Sequence, residues 1–279
     1  MLESTDAHVV VEGLVKRYGD RTILYGLDMT IGRAETLVVI GGSGAGKSTL
    51  VRHLIALERP TAGRIVIDGT DIASLSDVQL AKARRRFGMV FQKYALFDSM
   101  SVFDNVAFPL REQTKLSEKD IREKAMTKLK ELGVDHAAAL MPSQISGGMA
   151  KRVGIARALV MEPELLIYDE PTSGLDPVTS RTVDALIEEM RERFGVTSVV
   201  ITHDMVSAFD IADRIAMLIR GRVVALGSPA EVLAVDNADV QGFITSSGVD
   251  VKRFEHRGNR KTAAELAGRA RERKAGRAE

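Results

Sequence analysis

The sequence has 279 residues, enough for one large domain or two modest ones, and a formal net charge of +1. It has no cysteine, which excludes disulfide, thiol and iron–sulfur chemistry, and its five histidines lie too far apart for a metal-ligand pattern. No apolar run approaches the ~18 residues of a membrane-spanning helix, and we expect no signal peptide. The charge is uneven: residues 252–279 hold ten Lys or Arg and four Asp or Glu, so this tail carries +6 and the rest −5.

The first part of the chain is predicted to be mainly β-structure. Short alternating segments at 9–11 and 22–29 indicate antiparallel strands before residue 35. Thr36–Ile40 is predicted to be a buried strand, because four consecutive large apolar residues end at a glycine. Residues 64–69 have the character of a further strand that ends in a turn.

Between the strand at Thr36–Ile40 and an amphipathic helix lies the pattern G-x-x-x-x-G-K-[ST]. Its nucleotide-contacting positions are Gly41, Gly42, Ser43, Gly44, Ala45, Gly46, Lys47, Ser48 and the following Thr49. The glycines let backbone N–H groups close around phosphate oxygens, Lys47 can reach the β- and γ-phosphates, and Ser48 is suited to bind Mg²⁺. Leu50, Leu54 and Leu57 recur at helical spacing and are expected on the buried face. The pattern predicts a nucleoside triphosphate site.

The middle of the chain is predicted to be mainly helical. Residues 76–86 indicate a helix, 87–91 a strand, and 93–160 a helical block. Two segments of that block have amphipathic patterns: 118–132 and 149–160. Gln92 ends the strand, and its amide oxygen can sense Mg²⁺ or an attacking water, which makes it a candidate hinge.

Ser146, Gly147 and Gly148 open the second of these helices. Ser146 is a favourable N-cap, and the two glycines leave the helix start bare for an anion. A chain that already has one phosphate loop can use a second anion-binding helix start to complete the nucleotide site of another copy. The alternative is an ordinary capped helix.

The last third alternates strands and helices: an apolar strand at 164–169, a helix at 179–194 that ends at Gly195, and a strand at 198–202. This order indicates a parallel α/β core into which the helical block is inserted.

Polar side chains follow two of these strands, at the edge where parallel sheets bind ligands. Asp169 is placed to hold Mg²⁺ directly or through its water, and Glu170 can polarise a water for in-line attack on a γ-phosphate. His203 can donate a hydrogen bond to the γ-phosphate or position that water. A purely structural role is the alternative for each residue.

With these motifs together, the chain resembles the ATP-binding subunits of ABC (ATP-binding cassette) transporters over residues ~8–245. The resemblance implies an α/β fold: a P-loop NTPase (RecA-like) core with an antiparallel β subdomain and an inserted α-helical subdomain at about 93–160. It implies an ABC ATPase domain at 1–245 and a basic extension at 246–279.

The resemblance also implies roles for the motif residues, with ATP and Mg²⁺ as ligands. Residues 41–48 are the Walker A loop, 165–170 the Walker B strand, 146–148 the signature and 173–176 the D-loop. Tyr18 is the aromatic residue that stacks on adenine, for which a flat ring is suited, although a tyrosine of the core is the alternative. The catalytic residues are then Glu170, His203 and Gln92, and the metal ligands Ser48, Gln92 and Asp169.

An ABC subunit of this kind is expected to form a homodimer that closes head-to-tail around two ATP molecules. It hydrolyses ATP to ADP and phosphate and drives transport through integral-membrane permease subunits. The chain would then lie peripherally at the cytoplasmic face of a bacterial inner membrane. No nucleic acid is expected as a partner.

The fourth signature position is usually Gln in this family but is Met149 here. Together with the stretch 97–110, this makes the chain most similar to the ATPases of Mla-type (maintenance of lipid asymmetry) and Mce-associated lipid transporters. The implied cargo is phospholipid or a related lipid, and the implied partners include a lipid-binding Mce-domain protein and accessory subunits. Two alternatives stay open: an importer ATPase for amino acids or other small solutes, and a soluble ABC ATPase that acts on nucleic acid or ribosomes.

Two apolar sets are candidates for partner contacts. A groove for a short permease helix is predicted to involve Phe97, Met100, Phe103 and Phe108, for which packing in the helical core is the alternative. The basic tail can be a disordered segment, a contact for anionic lipid headgroups or a dock for the neighbouring subunit. Apolar anchors for the third possibility are Phe243, Ile244 and Phe254.

Overall fold

The computed structural model of the chain describes residues 7–91, 95–247 and 254. Gln92 and most of the basic extension therefore lie outside the described residues. The strands are β1 (Ala7–Tyr18), β2 (Arg21–Gly32), β3 (Thr36–Ile40), β4 (Ala62–Ile67), β5 (Thr70–Asp71), β6 (Phe87–Val90), β7 (Leu165–Asp169), β8 (Thr197–Ile201), β9 (Arg214–Ile219) and β10 (Arg222–Gly227). The helices are α1 (Lys47–Leu54), α2 (Asp77–Arg84), α3 (Val102–Gln113), α4 (Glu118–Glu131), α5 (Gly147–Leu159), α6 (Pro177–Phe194), α7 (Met205–Ile211), α8 (Pro229–Leu233) and α9 (Ala238–Ser246).

The chain divides into two compact units, one made of Met1–Arg84 with Thr172–Glu279 and the other of Arg85–Pro171. The first unit contains an antiparallel sheet with the strand order β2-β1-β4-β5. β1 and β2 form a long hairpin whose last pair joins Tyr18 to Arg21. The antiparallel strands predicted before residue 35 are therefore confirmed, and each is longer than its apolar pattern suggested.

A second set of strands in the first unit has the order β10-β9-β3-β8. β3 runs parallel to both β8 and β9, and all five residues of β3 and of β8 are buried. Continuous apolar runs of this kind are typical of parallel strands that are covered on both faces. Val39 lies opposite Ile201, so the carboxyl ends of β3 and β8 meet at one edge.

The helix after the phosphate loop is shorter than its leucine spacing predicted. Leu50 and Leu54 are fully buried as expected, but Leu57 is 56% exposed and lies beyond the end of α1 at Leu54. The reason is a reversal of the chain: Ala56 has a φ of 57°, and the backbone N–H of Leu57 donates to the carbonyl oxygen of Arg52. The prediction that Leu57 belongs to the buried face was therefore wrong.

The second unit combines helices with a parallel strand pair. α3, α4 and α5 pack against one another, α5 also packs against β6, and β6 pairs in parallel with β7. The predicted helices at 118–132 and 149–160 are confirmed, although α5 begins two residues early because Gly147 and Gly148 are already helical. The helical subdomain boundary predicted at about 93–160 stays a prediction.

The chain after residue 202 contains β9, β10, α7, α8 and α9, none of which is predicted from the sequence. Two anchors that were offered for a neighbouring subunit are buried in their own chain instead: Ile244 is 2% exposed and Phe254 is 3% exposed. The ring of Phe254 packs on that of Phe209, with centroids 5.3 Å apart. In the part of the chain that the structure describes, no helix combines the length and apolar character needed to cross a bilayer.

Candidate nucleotide-binding and catalytic site

The phosphate loop starts where the buried strand β3 ends. Gly41, the first loop residue, has a φ of 155°, and a Cβ atom at this position would lie 2.2 Å from the carbonyl oxygen of Leu218 in β9. Ala45 N–H donates to the carbonyl oxygen of Gly42 at 3.2 Å, which curls the loop back on itself. The loop is thus packed tightly against its own unit, and its shape depends on glycine.

The turn between β9 and β10 supports the loop from behind. Gly221 N–H donates to the carbonyl oxygen of Ala45 at 3.0 Å, and its own carbonyl accepts the N–H of Tyr25 in β2 at 2.9 Å. At Gly46 a Cβ atom would lie 2.7 Å from Leu24 Cδ2. The loop is held between β2 and the β9–β10 turn, and this support has no signal in the loop motif itself.

The first turn of α1 carries the features of an anion site. Its N-cap is Gly46, which offers no side-chain hydrogen bond, and its first turn contains no acidic residue. Lys47 lies across the loop, with Nζ donating to the carbonyl oxygens of Gly41 at 2.6 Å and of Gly42 at 3.1 Å. Backbone N–H groups at a helix start and a lysine ammonium are the donors that phosphate oxygens require.

The two residues after Lys47 differ in their surroundings. Ser48 is exposed, which leaves its hydroxyl accessible on the same helix turn as Lys47. Thr49 is 9% exposed, and its carbonyl oxygen makes a 2.7 Å hydrogen bond with Nδ1 of the buried His53. A hydroxyl oxygen is a ligand that Mg²⁺ accepts, so Ser48 fits the predicted metal role by its chemistry.

His203 lies near the phosphate loop at the same sheet edge. It directly follows β8 and Thr202, whose backbone N–H donates to the carbonyl oxygen of Val39 at 3.2 Å. The His203 side chain is exposed, and the next residue, Asp204, caps α7 by accepting the N–H of Ser207 at 3.1 Å. Sheet pairing therefore brings together His203 and the start of the loop, as the sequence predicted for parallel strands.

Tyr18 is the last residue of β1 and is 43% exposed. Its hydroxyl donates to the carboxylate of Glu58, in the loop that follows α1. The Lys16 ammonium lies 5.0 Å from the centroid of its ring. The ring belongs to the surface of the first unit rather than to its core, which removes the alternative of a core tyrosine.

In the second unit, β7 ends at Asp169, and Glu170 follows it directly. Residues 165–168 are buried, whereas Asp169 and Glu170 are half-buried. The start of the strand is fixed by a bidentate pair, in which Arg86 donates to the Glu164 carboxylate at 3.0 and 2.6 Å. Both acids are therefore delivered at the carboxyl end of a rigid parallel strand.

Glu170 has an unusual backbone conformation. Its φ is 51°, in the left-handed region that costs a residue with a Cβ atom roughly 1–3 kcal/mol. Residues held in this region cluster at functional sites, where the surrounding structure imposes the conformation. No pattern in the sequence predicts this backbone state, which Glu170 shares with Glu162, at a φ of 52°.

The signature segment opens α5 in the second unit. Ser146 is its N-cap and accepts the N–H of Met149 at 3.2 Å, as predicted. Ser146, Gly147 and Gly148 are all exposed. A Cβ atom at Gly147 would meet nothing within 4 Å, and one at Gly148 would meet only Ser146 Oγ, at 4.0 Å. No contact within the described chain therefore requires glycine at either position.

Comparison with known proteins shows which family the chain resembles in sequence and structure. The family model described as "ABC transporter" matches residues 24–173, more than half of the chain. The intermembrane phospholipid transport system ATP-binding protein MlaF of Haemophilus influenzae is 38% identical over 89% of this chain and 94% of its own length. A methionine import ATP-binding protein MetN of Leifsonia xyli is 44% identical over 82% of this chain and 68% of its length.

A probable ribonucleotide transport ATP-binding protein mkl of Mycobacterium tuberculosis is 42% identical over 85% of this chain, which spans 66% of that protein's length. Among solved structures, CbiO1 of Clostridium perfringens, part of the ABC transporter complex cbiONQ, has a TM-score of 0.77 and 35% identity over 90% of this chain and 98% of its own. The dimeric ATP-binding cassette MJ0796 bound to ADP and Pi has a TM-score of 0.69 and 32% identity over 79% of this chain and 98% of its own.

These matches confirm the α/β ABC ATPase fold, with its antiparallel sheet and helical part, and they include a cassette captured as a dimer. The cassette bound to ADP and Pi is in a post-hydrolysis state. The chain belongs to the ABC transporter family, as an ATP-binding subunit that couples ATP hydrolysis to transport.

Proposed function

We propose that this chain is the ATPase of a bacterial lipid transporter and that the residues described above form its nucleotide site. Lys47 and the N–H groups at the start of α1 bind the β- and γ-phosphates. Ser48 and Asp169 hold Mg²⁺, together with Gln92, which lies outside the described residues. When bound, Mg²⁺ neutralises phosphate charge in the transition state. The hydroxyl of Ser48 and the carboxylate of Asp169 are the oxygen ligands that this ion prefers.

Glu170 acts as the general base. Its carboxylate accepts a proton from the water whose oxygen attacks the γ-phosphorus, and the bond from that phosphorus to the bridging oxygen of ADP breaks. His203 orients the γ-phosphate or the attacking water. The position of Glu170 supports this assignment, because it directly follows β7 and so lies at the carboxyl end of a parallel strand.

A second copy of the chain completes each site with Ser146, Gly147 and Gly148. The support is steric: these glycines have open space around them in their own chain, so a close approach from outside explains their lack of side chains. The start of α5 has no acidic residue, which suits an incoming γ-phosphate. Tyr18 stacks on the adenine, for which its half-exposed ring is available.

The observation that carries the lipid proposal is the match to the phospholipid-transport protein of Haemophilus influenzae over 94% of that protein's length. The methionine importers provide the second candidate, because the Leifsonia protein has the higher identity, 44%. However, this chain covers only 68% of that importer. The match to the Haemophilus protein extends over a larger share of the relative, 94%, which supports the lipid system ahead of the importer.

A permease helix is the proposed occupant of an apolar surface on the second unit. Phe97 is 41% exposed and its ring packs on that of Phe108, with centroids 4.9 Å apart. The buried Asn105 shapes the loop that presents Phe97: its Oδ1 accepts Phe97 N–H at 2.8 Å, and its Nδ2 donates to the carbonyl oxygens of Phe97 and Met100, both at 3.1 Å. An exposed aromatic on a fixed loop suits helix docking. Through that permease the chain lies at the cytoplasmic face of the membrane, with a lipid-binding Mce-domain protein among its partners.

The test is purification of the native complex from its own organism, followed by mass spectrometry of the bound small molecules and of the protein subunits. We expect phospholipid and a lipid-binding partner. The complex is then reconstituted in vesicles, where ATPase activity should respond to the phospholipid composition and not to methionine. Stimulation by methionine with no retained lipid would establish the importer instead.

A further inference from the structure

Four charged or aromatic side chains join the end of β1 to α1 and the loop after it: Lys16, Tyr18, Arg52 and Glu58. Glu58 is the centre of this cluster. Its carboxylate accepts the hydroxyl hydrogen of Tyr18, lies 3.2 Å from the ammonium of Lys16 and accepts a 3.1 Å hydrogen bond from Arg52 Nη1. Tyr18 is therefore held through its hydroxyl by a residue 40 positions away in the chain.

The backbone around Glu58 is itself tied to β1. Thr61 N–H donates to the carbonyl oxygen of Val15 at 2.8 Å, and the Thr61 hydroxyl accepts the N–H of Arg17 at 3.0 Å. Lys16 Nζ also donates to the carbonyl oxygen of Arg59 at 2.9 Å. These bonds join the loop after α1 to β1 on both sides of the cluster. The Glu58 carboxylate is therefore held in place and can fix the position of the Tyr18 ring.

The pKa values of Glu58 and Tyr18 determine which group donates and which accepts the hydrogen bond between them. Burial alone would raise the pKa of Glu58, but hydrogen bonds from Tyr18, Lys16 and Arg52 outweigh it and lower the pKa to about 2. Burial and the neighbouring carboxylate raise the pKa of the Tyr18 hydroxyl. At neutral pH the carboxylate is therefore charged and the hydroxyl keeps its proton, so the hydrogen bond runs in one direction.

The cluster leaves the ring accessible. The Lys16 ammonium lies 5.0 Å from the ring centroid, in the range of a cation–π contact, and Tyr18 still exposes 43% of its surface. An aromatic ring that is held at its hydroxyl and partly exposed has lost most of its freedom before any ligand arrives. Because the side chain is already ordered, the entropic cost of ordering it is not added to nucleotide binding.

We infer that Glu58 is a positioning residue for the base of the nucleotide, because it holds the Tyr18 ring through its hydroxyl in the orientation for stacking. This inference rests on the proposed base-stacking role of Tyr18. The phosphate loop is connected to the same cluster, since α1 starts at Lys47, carries Arg52 and is followed by Glu58. α1 therefore connects the residues proposed to bind the phosphates to the residues proposed to position the base.

The test is a double-mutant cycle in the full-length protein, with the dissociation constant for Mg-ADP measured by isothermal titration calorimetry. Glu58→Ala and Tyr18→Phe should each weaken binding by about 3- to 10-fold, the cost of one side chain that must be ordered on binding. The double variant should be no weaker than either single variant, because both changes remove the same hydrogen bond. In steady-state kinetics KM for ATP should rise while kcat at saturating ATP stays unchanged.

Glu12→Ala is the matched control, because Glu12 lies on β1 as well but pairs with Arg64 on the neighbouring strand. It should bind Mg-ADP as the wild type does. Additive losses in the double variant, or an equal loss in the control, would overturn the positioning role.

Tyr18→Ala separates this inference from the proposal on which it rests. If Tyr18→Ala weakens binding and Glu58→Ala does not, only the positioning role fails. If Tyr18→Ala binds like the wild type, the base-stacking proposal fails as well.

Discussion

Gly41 and Leu218 approach so closely that a Cβ atom on Gly41 would lie 2.2 Å from the carbonyl oxygen of Leu218. This contact joins the first residue of the phosphate loop to β9, which runs parallel to the strand that delivers the loop. Only a hydrogen atom fits between them. The phosphate loop is therefore part of the packing of the sheet and not merely a flexible connection above it.

Gly41→Ala should lower the free energy of unfolding by about 2–4 kcal/mol, because overpacking is added to a backbone conformation that favours glycine. Urea unfolding followed by circular dichroism measures the change. Gly42→Ala is the control, since a Cβ atom there would meet nothing within 4 Å, and it should stay near the wild-type stability. Equal stability of the two variants would show that the loop moves away from Leu218 without cost.

Unlike Gly41→Ala, Gly148→Ala should lower the ATPase activity and leave the stability of the fold nearly unchanged. The fold should keep its stability to within about 1 kcal/mol, since alanine favours a helix and has space here. ATP hydrolysis should fall by at least about tenfold if the added methyl group keeps a second copy at a distance; this is a loss of about 1.4 kcal/mol in transition-state stabilisation.

The control for Gly148→Ala is Gly242→Ala in α9, which also adds a Cβ atom in open space. That variant should retain normal turnover. Normal turnover in Gly148→Ala as well would remove the signature glycines from the proposed shared site.

Glu170→Gln should retain ATP binding and lose turnover by about 10²- to 10⁴-fold, the usual contribution of a general base. Glutamine preserves the shape of the side chain and the φ of 51°. Phosphate release and analytical ultracentrifugation measure the two effects, and we expect ATP to accumulate in a dimer. Glu162→Gln is the control, since Glu162 also has a positive φ, 52°, but lies in an exposed turn. Rapid hydrolysis by Glu170→Gln would exclude Glu170 as the base.

The burial of the Asp184 carboxyl group in α6 leads us to expect that the stability of the protein depends on pH. Burial raises its pKa to about 6, although a hydrogen bond from the Ser207 hydroxyl lowers it in part. The folded state thus binds the proton more tightly than the unfolded state, whose pKa is near the ordinary 3.8. The protonated carboxyl costs nothing below about pH 4, stability falls as the pH rises from about 4 to 6, and the full penalty remains above that range.

Asp184→Asn should remove this penalty and stabilise the protein by up to about 3 kcal/mol at pH 8, with the gain vanishing near pH 4. Denaturant unfolding at several pH values measures it. Asp236→Asn, at an exposed position, should show no such trend. A gain from Asp184→Asn that is the same at pH 4 and pH 8 would contradict the raised pKa.

Phe97→Glu should keep the ATPase activity of the isolated subunit and weaken its association with the permease. A charge in an apolar helix-binding surface is costly, whereas the nucleotide residues are untouched. Co-purification with the permease and coupled transport are the measurements. Leu116→Glu is the control, because Leu116 is a similarly exposed apolar residue, at 37%. Unaltered coupling in Phe97→Glu would exclude this surface as the dock.

The features that were predicted from sequence are those with a local cause. The buried strand Thr36–Ile40, the cap at Ser146 and the end of α6 at Gly195 each depend on neighbours in the chain. Leu57 was misplaced because a single residue with positive φ ends the helical period, and leucine spacing carries no information about it.

The missed features depend on partners far away in sequence. The contact of Glu58 with Tyr18 spans 40 positions, and the support of the loop by Gly221 spans 176. The β9–β10 hairpin could have been found, since a glycine between two apolar runs is typical of such turns. Asn105 had no comparable signal, because its four hydrogen bonds form only once the loop at 97–101 is closed around it.

The bonds from Gly221 to Ala45 and Tyr25 have a practical consequence for anyone who labels or splices this protein. The tip of the β9–β10 hairpin looks like a harmless attachment site, yet peptides grafted there would pull on the main chain behind the phosphate loop. An epitope inserted at this turn should therefore depress nucleotide affinity.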